Sequence, residues 1–176
     1  MINDMFNMFT KHEEQRVAVF VDVQNLYYSA RNIYNARVNY SALLKESVGV
    51  RKLVRATCYV IRAQMPEEQS FFDALSKAGF EVKAKDLQVF VGGIKKGDWD
   101  VGITMDAIRQ MSKVDSIVLA SGDGDYVPLL EYMKNFGVRA EIIAFGKSSS
   151  AKLIEEADAF IDMDAATKKF LIPIKK

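Results

Sequence analysis

Two apolar runs in this chain end in acid. Residues 17–22, VAVFVD, close on Asp22, and Asn25 follows three positions later. Residues 116–126, SIVLASGDGDY, close on Asp123 and Asp125. A third stretch, KKGDWD at 95–100, carries Asp98 and Asp100 into a helix-like segment. No histidine or cysteine joins these acids. The chain has one of each, His12 and Cys58, which excludes a disulfide framework and a zinc site of His and Cys within one chain. A Ser-His-Asp triad would need His12, which sits in a charged segment, TKHEEQR, that reads as exposed. Carboxylates brought close together repel and raise each other's pKa. A divalent cation removes that penalty, and all-oxygen ligand sets favour Mg²⁺ or Mn²⁺ over zinc. Such a metal activates water and clamps a phosphate oxygen. The reaction this chemistry suits is hydrolysis of a phosphodiester.

The elements must bring the acids together. The run 17–22 predicts a strand buried on both faces, as does SIVLA at 116–120. LVRATCYVI (53–61), VRAEIIAF (138–145) and the short AFIDM (159–163) also read as strands, and FEVKAK (80–85) alternates like a more exposed one. Helical spacing fills the gaps. It runs from Asn25 through NLYYSARNIY, over 66–79 between Pro66 and Gly79, over 98–112, over 126–137 and over 150–157. This alternation predicts an α/β fold: a doubly wound, mainly parallel sheet with helices on both faces, a Rossmann-like three-layer arrangement. The expected strand order is 3-2-1-4-5, with 159–163 at an edge. The crevice of such a sheet opens beyond the carboxyl ends of its first and fourth strands, where Asp22 and the SGDGD loop stand.

Asp98 is expected to cap the next helix and place Asp100 in its first turn, at the same rim. Each residue also has a plain structural alternative. Asp22 and Asn25 could be caps, Asp100 a dipole partner, and Asp123 and Asp125 turn formers. Asp106 follows Asp100 by six residues, so it lies about 9 Å further along the helix and on another face. A supporting place behind the metal and a surface salt bridge are both open to it. Neither GDGD nor FVGGIKKGD matches a phosphate loop, which disfavours a nucleotide-binding Rossmann domain.

The stretches VFVDVQNLYYSA, KKGDWDVGITMDA and LASGDGDYVPLL resemble, in order and spacing, the three signature blocks of NYN domains. These are relatives of PIN nucleases and of the DUF88/LabA-like proteins. The resemblance spans residues 16–163, leaving 1–15 as an N-terminal extension and 164–176 as a C-terminal tail. It implies a PIN-like fold and metal-dependent endoribonuclease chemistry with Mg²⁺ or Mn²⁺ as cofactor. It carries metal-ligand roles to Asp22, Asp100 and Asp123, a catalytic role to Asp125 beside them, and support to Asn25. Asp106 matches a common family aspartate. Relatives often have a small residue and an acid or Ser where this chain has Val23-Gln24, so the metal shell differs in detail.

An RNA substrate, single-stranded or structured, needs phosphate contacts near the acids. Lys95, Lys96 and Arg62 are the candidates, and Tyr27, Tyr28 and Tyr126 could stack bases. The net charge is only +1, so no global field draws RNA in. Binding is expected to be weak, or aided by a partner or a second copy in a homodimer. Two other functions compete: a non-catalytic RNA-binding or regulatory module that retains the fold, and a small-phosphate hydrolase with an aspartyl nucleophile. The second lacks an Asp-x-Asp at the first strand, since Val23-Gln24 follow Asp22. A length of 176 residues and 49% apolar content fit one domain with a full core. Residues 1–15 do not read as a signal peptide, and no apolar run approaches the roughly 20 residues of a membrane span. A cytoplasmic protein is the expectation.

Overall fold

The computed structural model describes residues 12–174. Most of the expected N-terminal extension, residues 1–11, lies outside the described residues, and so do the last two residues of the expected tail. In chain order the elements are β1 (Arg16–Asp22), α1 (Val23–Tyr34), β2 (Ala36–Val38), α2 (Tyr40–Val48) and β3 (Lys52–Arg62). They continue through α3 (Glu68–Lys77), β4 (Glu81–Asp86), β5 (Gln88–Val89), β6 (Lys95–Lys96), α4 (Asp100–Gln110) and β7 (Ser116–Ala120). The chain then runs through α5 (Val127–Asn135), β8 (Arg139–Ala144), α6 (Ala151–Glu156), β9 (Ala159–Asp162), α7 (Thr167–Phe170) and β10 (Leu171–Pro173).

Six strands form one parallel sheet in the order β4-β3-β1-β7-β8-β9, with helices around it. This is the predicted order, with the 159–163 run at an edge. The apolar patterns explain it. Val17 to Val21 of β1 and all of β7 are buried, as central strands covered on both faces must be. β4 closes the sheet on one side, and its residues are half-buried or exposed rather than alternating. Between α5 and β8 the chain turns through Gly137 at φ 85°, a left-handed conformation that glycine adopts without steric cost. The adjoining amide of Val138 donates back to Met133 O at 2.9 Å, closing the helix end.

The amino ends of the strands carry a buried ion pair. Arg51 meets Glu141 at 2.6 Å, and both side chains are excluded from solvent. Ser116 donates a further bond to Glu141 at 2.8 Å. Such a pair is tolerated only when hydrogen bonds complete it. The single thiol, Cys58, is buried in β3, and burial pushes its pKa well up.

Three features were not anticipated. β10 pairs antiparallel with β2, β5 pairs with β6 as a hairpin, and α2 forms after an Asn39 cap that accepts from Ala42 N–H at 3.1 Å. The residues beyond 163 pack back on the body. Phe170 is buried, and its carbonyl accepts from Asn39 N–H at 2.7 Å. Among the described residues, no helix is long and apolar enough to cross a membrane.

Candidate metal centre

β1 and β7 are neighbours in register, with Val21 opposite Ala120. Asp22 therefore ends one strand beside Ser121, which follows the other. Ser121 donates its hydroxyl to Asp22 Oδ2 at 3.2 Å, and Asp22 Oδ1 accepts from Asn25 N–H at 3.2 Å as the cap of α1. The cap and the site residue are the same carboxylate. Burial pushes the Asp22 pKa up to about 6, with the charges of Asp100 and Asp123 adding to the effect against the two hydrogen bonds.

Asn25 ties the second block to the first. Its Oδ1 accepts from Gly122 N–H at 3.0 Å, and Gly122 O accepts from Ser150 N–H at 2.9 Å. A Cβ at Gly122 would come within 2.4 Å of Ser149 Oγ and 2.9 Å of its Cα. Only glycine lets the loop after β7 lie so close to the loop after β8. Past it, Asp123 Oδ1 accepts from Asp125 N–H at 2.9 Å and turns the chain into α5.

The third block arrives from α4. Asp100 occupies its first turn as expected, but the residue at the cap position is Trp99, not Asp98. A tryptophan offers no side-chain acceptor to the helix amides. It is instead fixed by its own indole N–H, which donates to Val60 O at 2.8 Å, and by an edge contact with the Tyr59 ring at 5.2 Å. Asp100 Oδ1 accepts from the Tyr126 hydroxyl at 3.1 Å. Burial raises the Asp100 pKa, and Asp123, Asp98 and Asp125 raise it further against that hydrogen bond.

Ligand oxygens of Asp100, Asp123 and Asp125 lie within 4.8 Å of one another. Asp22, Asn25, Tyr28, Asp98, Asp100 and Asp123 line a cleft of about 340 Å³ at this rim, with Trp99 in its wall. Among the described residues, no lysine or arginine pairs with Asp22, Asp98, Asp100, Asp123 or Asp125. An all-oxygen donor set, partly desolvated and left without a protein cation, fits a hard divalent ion.

Several candidates are placed elsewhere. Asp106 is not at the cluster. It accepts from Lys83 Nζ at 2.7 Å, the Tyr59 hydroxyl at 2.8 Å and Arg109 at 3.3 Å. Burial alone would raise its pKa, but these partners hold it below the usual range, so its surroundings are those of a satisfied ion-pair network. Arg62 ends β3 and pairs with Asp86 at 3.2 Å, outside the acidic cleft. Lys95 and Lys96 form β6. Lys96 lines a second hollow of about 240 Å³ that also contains Asp98, whereas Lys95 lines neither. Tyr126 is 1% exposed, so it positions Asp100 and cannot stack a base. Tyr27 and Tyr28 are exposed and edge-to-face at 5.4 Å, and Tyr28 reaches the cleft. Ser121 and Trp99 were missed by the sequence reading. Ser121 stood inside the quoted SGDGD block, but nothing in its spacing said that its hydroxyl would turn back to Asp22.

Known proteins share the family and the fold of this chain. Residues 16–164 match the family model of the NYN domain. The low amplitude and bright protein LabA of Synechococcus elongatus is 26% identical over 160 residues, covering 85% of this chain and 84% of that protein. A crystal structure of a protein of unknown function from Vibrio parahaemolyticus shares the fold with a TM-score of 0.84 and 33% identity, over 93% of this chain and all of that one. The sheet order, the three acid-bearing blocks at one rim and the match over nearly the whole chain lead to one assignment: this protein belongs to the NYN domain family, a PIN-like nuclease family.

Proposed function

We propose that the chain is a Mg²⁺- or Mn²⁺-dependent endoribonuclease that hydrolyses RNA at the rim cleft. One observation carries the reading: ligand oxygens of Asp100, Asp123 and Asp125 come within 4.8 Å of one another, Asp22 from a third block lines the same cleft outside that group, and among the described residues no lysine or arginine pairs with them. Asp22, Asp100 and Asp123 would hold the metal, with Asp125 beside them. Bound there, the metal would supply a water of lowered pKa and charge against the phosphate oxygens. The protein's own groups fix the frame. Ser121 and the Asn25 amide occupy one oxygen each of Asp22. Tyr126 aims Asp100. Asn25 and Gly122 hold the loop that presents Asp123. Preset ligands need little rearrangement when charge develops on the phosphate. Lys96, and Lys95 beside it, supply positive charge for the RNA backbone, and exposed Tyr28 offers a face to a base.

Calorimetric titration with Mn²⁺, followed by cleavage of end-labelled RNA with and without chelator, tests the reading. Millimolar-or-tighter binding and metal-dependent cleavage are expected. RNA binding without cleavage would assign the chain to the non-catalytic alternative. Failure to bind metal with or without RNA would remove the proposal.

A further inference from the structure

A second hollow of about 240 Å³ abuts the acidic cleft, and Asp98 lines both. Its other walls are Lys85, Asp86, Gln88, Lys96 and Val101, with Gly97 at the turn. Beyond that shared wall, Lys85 and Lys96 bring positive charge beside the acids. Asp86 is already matched by Arg62 at 3.2 Å. Lys85 and Lys96 have no carboxylate partner among the described residues.

Lys85 is also held in place. Its ammonium lies 4.6 Å from the centre of the Trp99 ring, a favourable cation–π placement. The ring is pinned by its bond to Val60 O at 2.8 Å, and it lies so close over α4 that a Cβ at Gly102 would fall 2.5 Å from Trp99 Cε3. The same indole walls the acidic cleft. One rigid ring thus sets the spacing between the carboxylates and a lysine that no acid neutralises among the described residues.

We propose that the Lys85–Lys96 hollow is a subsite for the phosphate adjacent to the scissile one in a single nucleic-acid strand. This rests on the nuclease reading, and it gives that site a direction: the strand leaves the cleft past Asp98 toward β6. The carboxylate of Asp98 keeps the incoming phosphate on the lysine side of the wall. Gln88 adds a polar group, and Val101, largely exposed, gives the ribose an apolar face.

The test compares substrates with and without a neighbouring phosphate. The dinucleotide UpU carries the scissile phosphate alone, and an oligouridylate of about ten nucleotides carries neighbours on both sides. In Mn²⁺, the wild-type ratio of kcat/KM per scissile phosphodiester for the long over the short substrate is expected to be at least about tenfold. In Lys85→Gln/Lys96→Gln it should fall toward one, and the salt slope for the long strand should drop by about 0.7 per lysine. Lys113→Gln, an exposed lysine at the opposite end of the sheet, should keep the wild-type ratio. An unchanged ratio in the double variant overturns the subsite while leaving the nuclease reading intact. Wild-type protein that cleaves neither substrate overturns the parent reading itself. Inorganic phosphate provides a further arm. If it binds calorimetrically, loses binding in the double variant and the length ratio stays fixed, the hollow takes a free anion and the strand subsite is wrong.

Discussion

At the scale of single residues, Asp22 serves two purposes that pull in opposite directions. As a cap it stabilises α1, and as a buried carboxylate it destabilises the metal-free fold at neutral pH. Its folded pKa of about 6 stands above the ordinary 3.8. The folded protein therefore binds this proton more tightly than the unfolded chain. The associated stability is fully present below about pH 4, is lost as pH rises through 6, and amounts to up to about 3 kcal/mol. Asp22→Asn keeps an acceptor for Asn25 N–H, and asparagine caps as well as aspartate. In chelator, the stability of the variant relative to wild type is expected to grow from near zero at pH 4 to roughly 3 kcal/mol by pH 7. Denaturant curves across that range check it. RNA turnover in Mn²⁺ should fall at least about a hundredfold. Stability equal to wild type at every pH, with wild-type turnover, would reduce Asp22 to a helix cap.

At the scale of elements, what was legible followed from apolar pattern. The two continuous runs ending at Asp22 and Ala120 named the central strands, and the order followed from helix alternation. The three-residue strands β2 and β10 fall below any periodicity. The Asn39 cap and Gly49 stop of α2 were present in the sequence, yet its interior buries only Tyr40, Leu43 and Ser47, a weak stripe. That Asp22, Asp100 and Asp123 line one cleft could be read because it depends on two strand ends and a helix start. The Tyr126–Asp100 bond could not, because it depends on a side-chain direction after a short turn. The start of α4 illustrates the same limit. Trp99 takes the cap position for reasons of packing, and Gly102 is the residue that makes room for it. In an exposed helix Gly→Ala gains about 1 kcal/mol. Here the new methyl would meet a ring pinned by a hydrogen bond, so the overpacking cost of about 1–3 kcal/mol should win. Gly102→Ala is expected to lower the denaturation midpoint and weaken Mn²⁺ binding. A stabilised variant with unchanged metal affinity would show that Trp99 moves freely.

At the scale of the whole molecule, the sheet separates its tasks by end. The amino ends hold Arg51–Glu141, satisfied and neutral as a pair, while the carboxyl ends hold unsatisfied negative charge. A ligand that binds only the folded state adds stability by mass action, about 2.7 kcal/mol at a hundred times its Kd. Saturating Mn²⁺ should therefore raise the Tm by several degrees, at roughly 2–4 °C per kcal/mol for a domain of this size. Chelator should reverse the shift, and Asp22→Asn should diminish it. The closing segment contributes to the body rather than to the rim. Phe170 is 2% exposed and sits where α7 leads into β10. Phe170→Ala should cost about 3–5 kcal/mol while leaving Mn²⁺ affinity unchanged in the folded fraction. A loss below about 1 kcal/mol would mean that the segment beyond 163 is only loosely attached.

Trp99 is the only tryptophan in the chain. Its indole forms part of the cleft wall, with carboxylates beside it and the Lys85 ammonium over its face. All indole fluorescence of the protein therefore arises at the rim. Mn²⁺ entering the cleft should quench that emission, and a strand that draws Lys85 off the ring should shift its maximum. The molecule carries its own optical reporter of occupancy, readable without a label and at concentrations far below those that calorimetry requires.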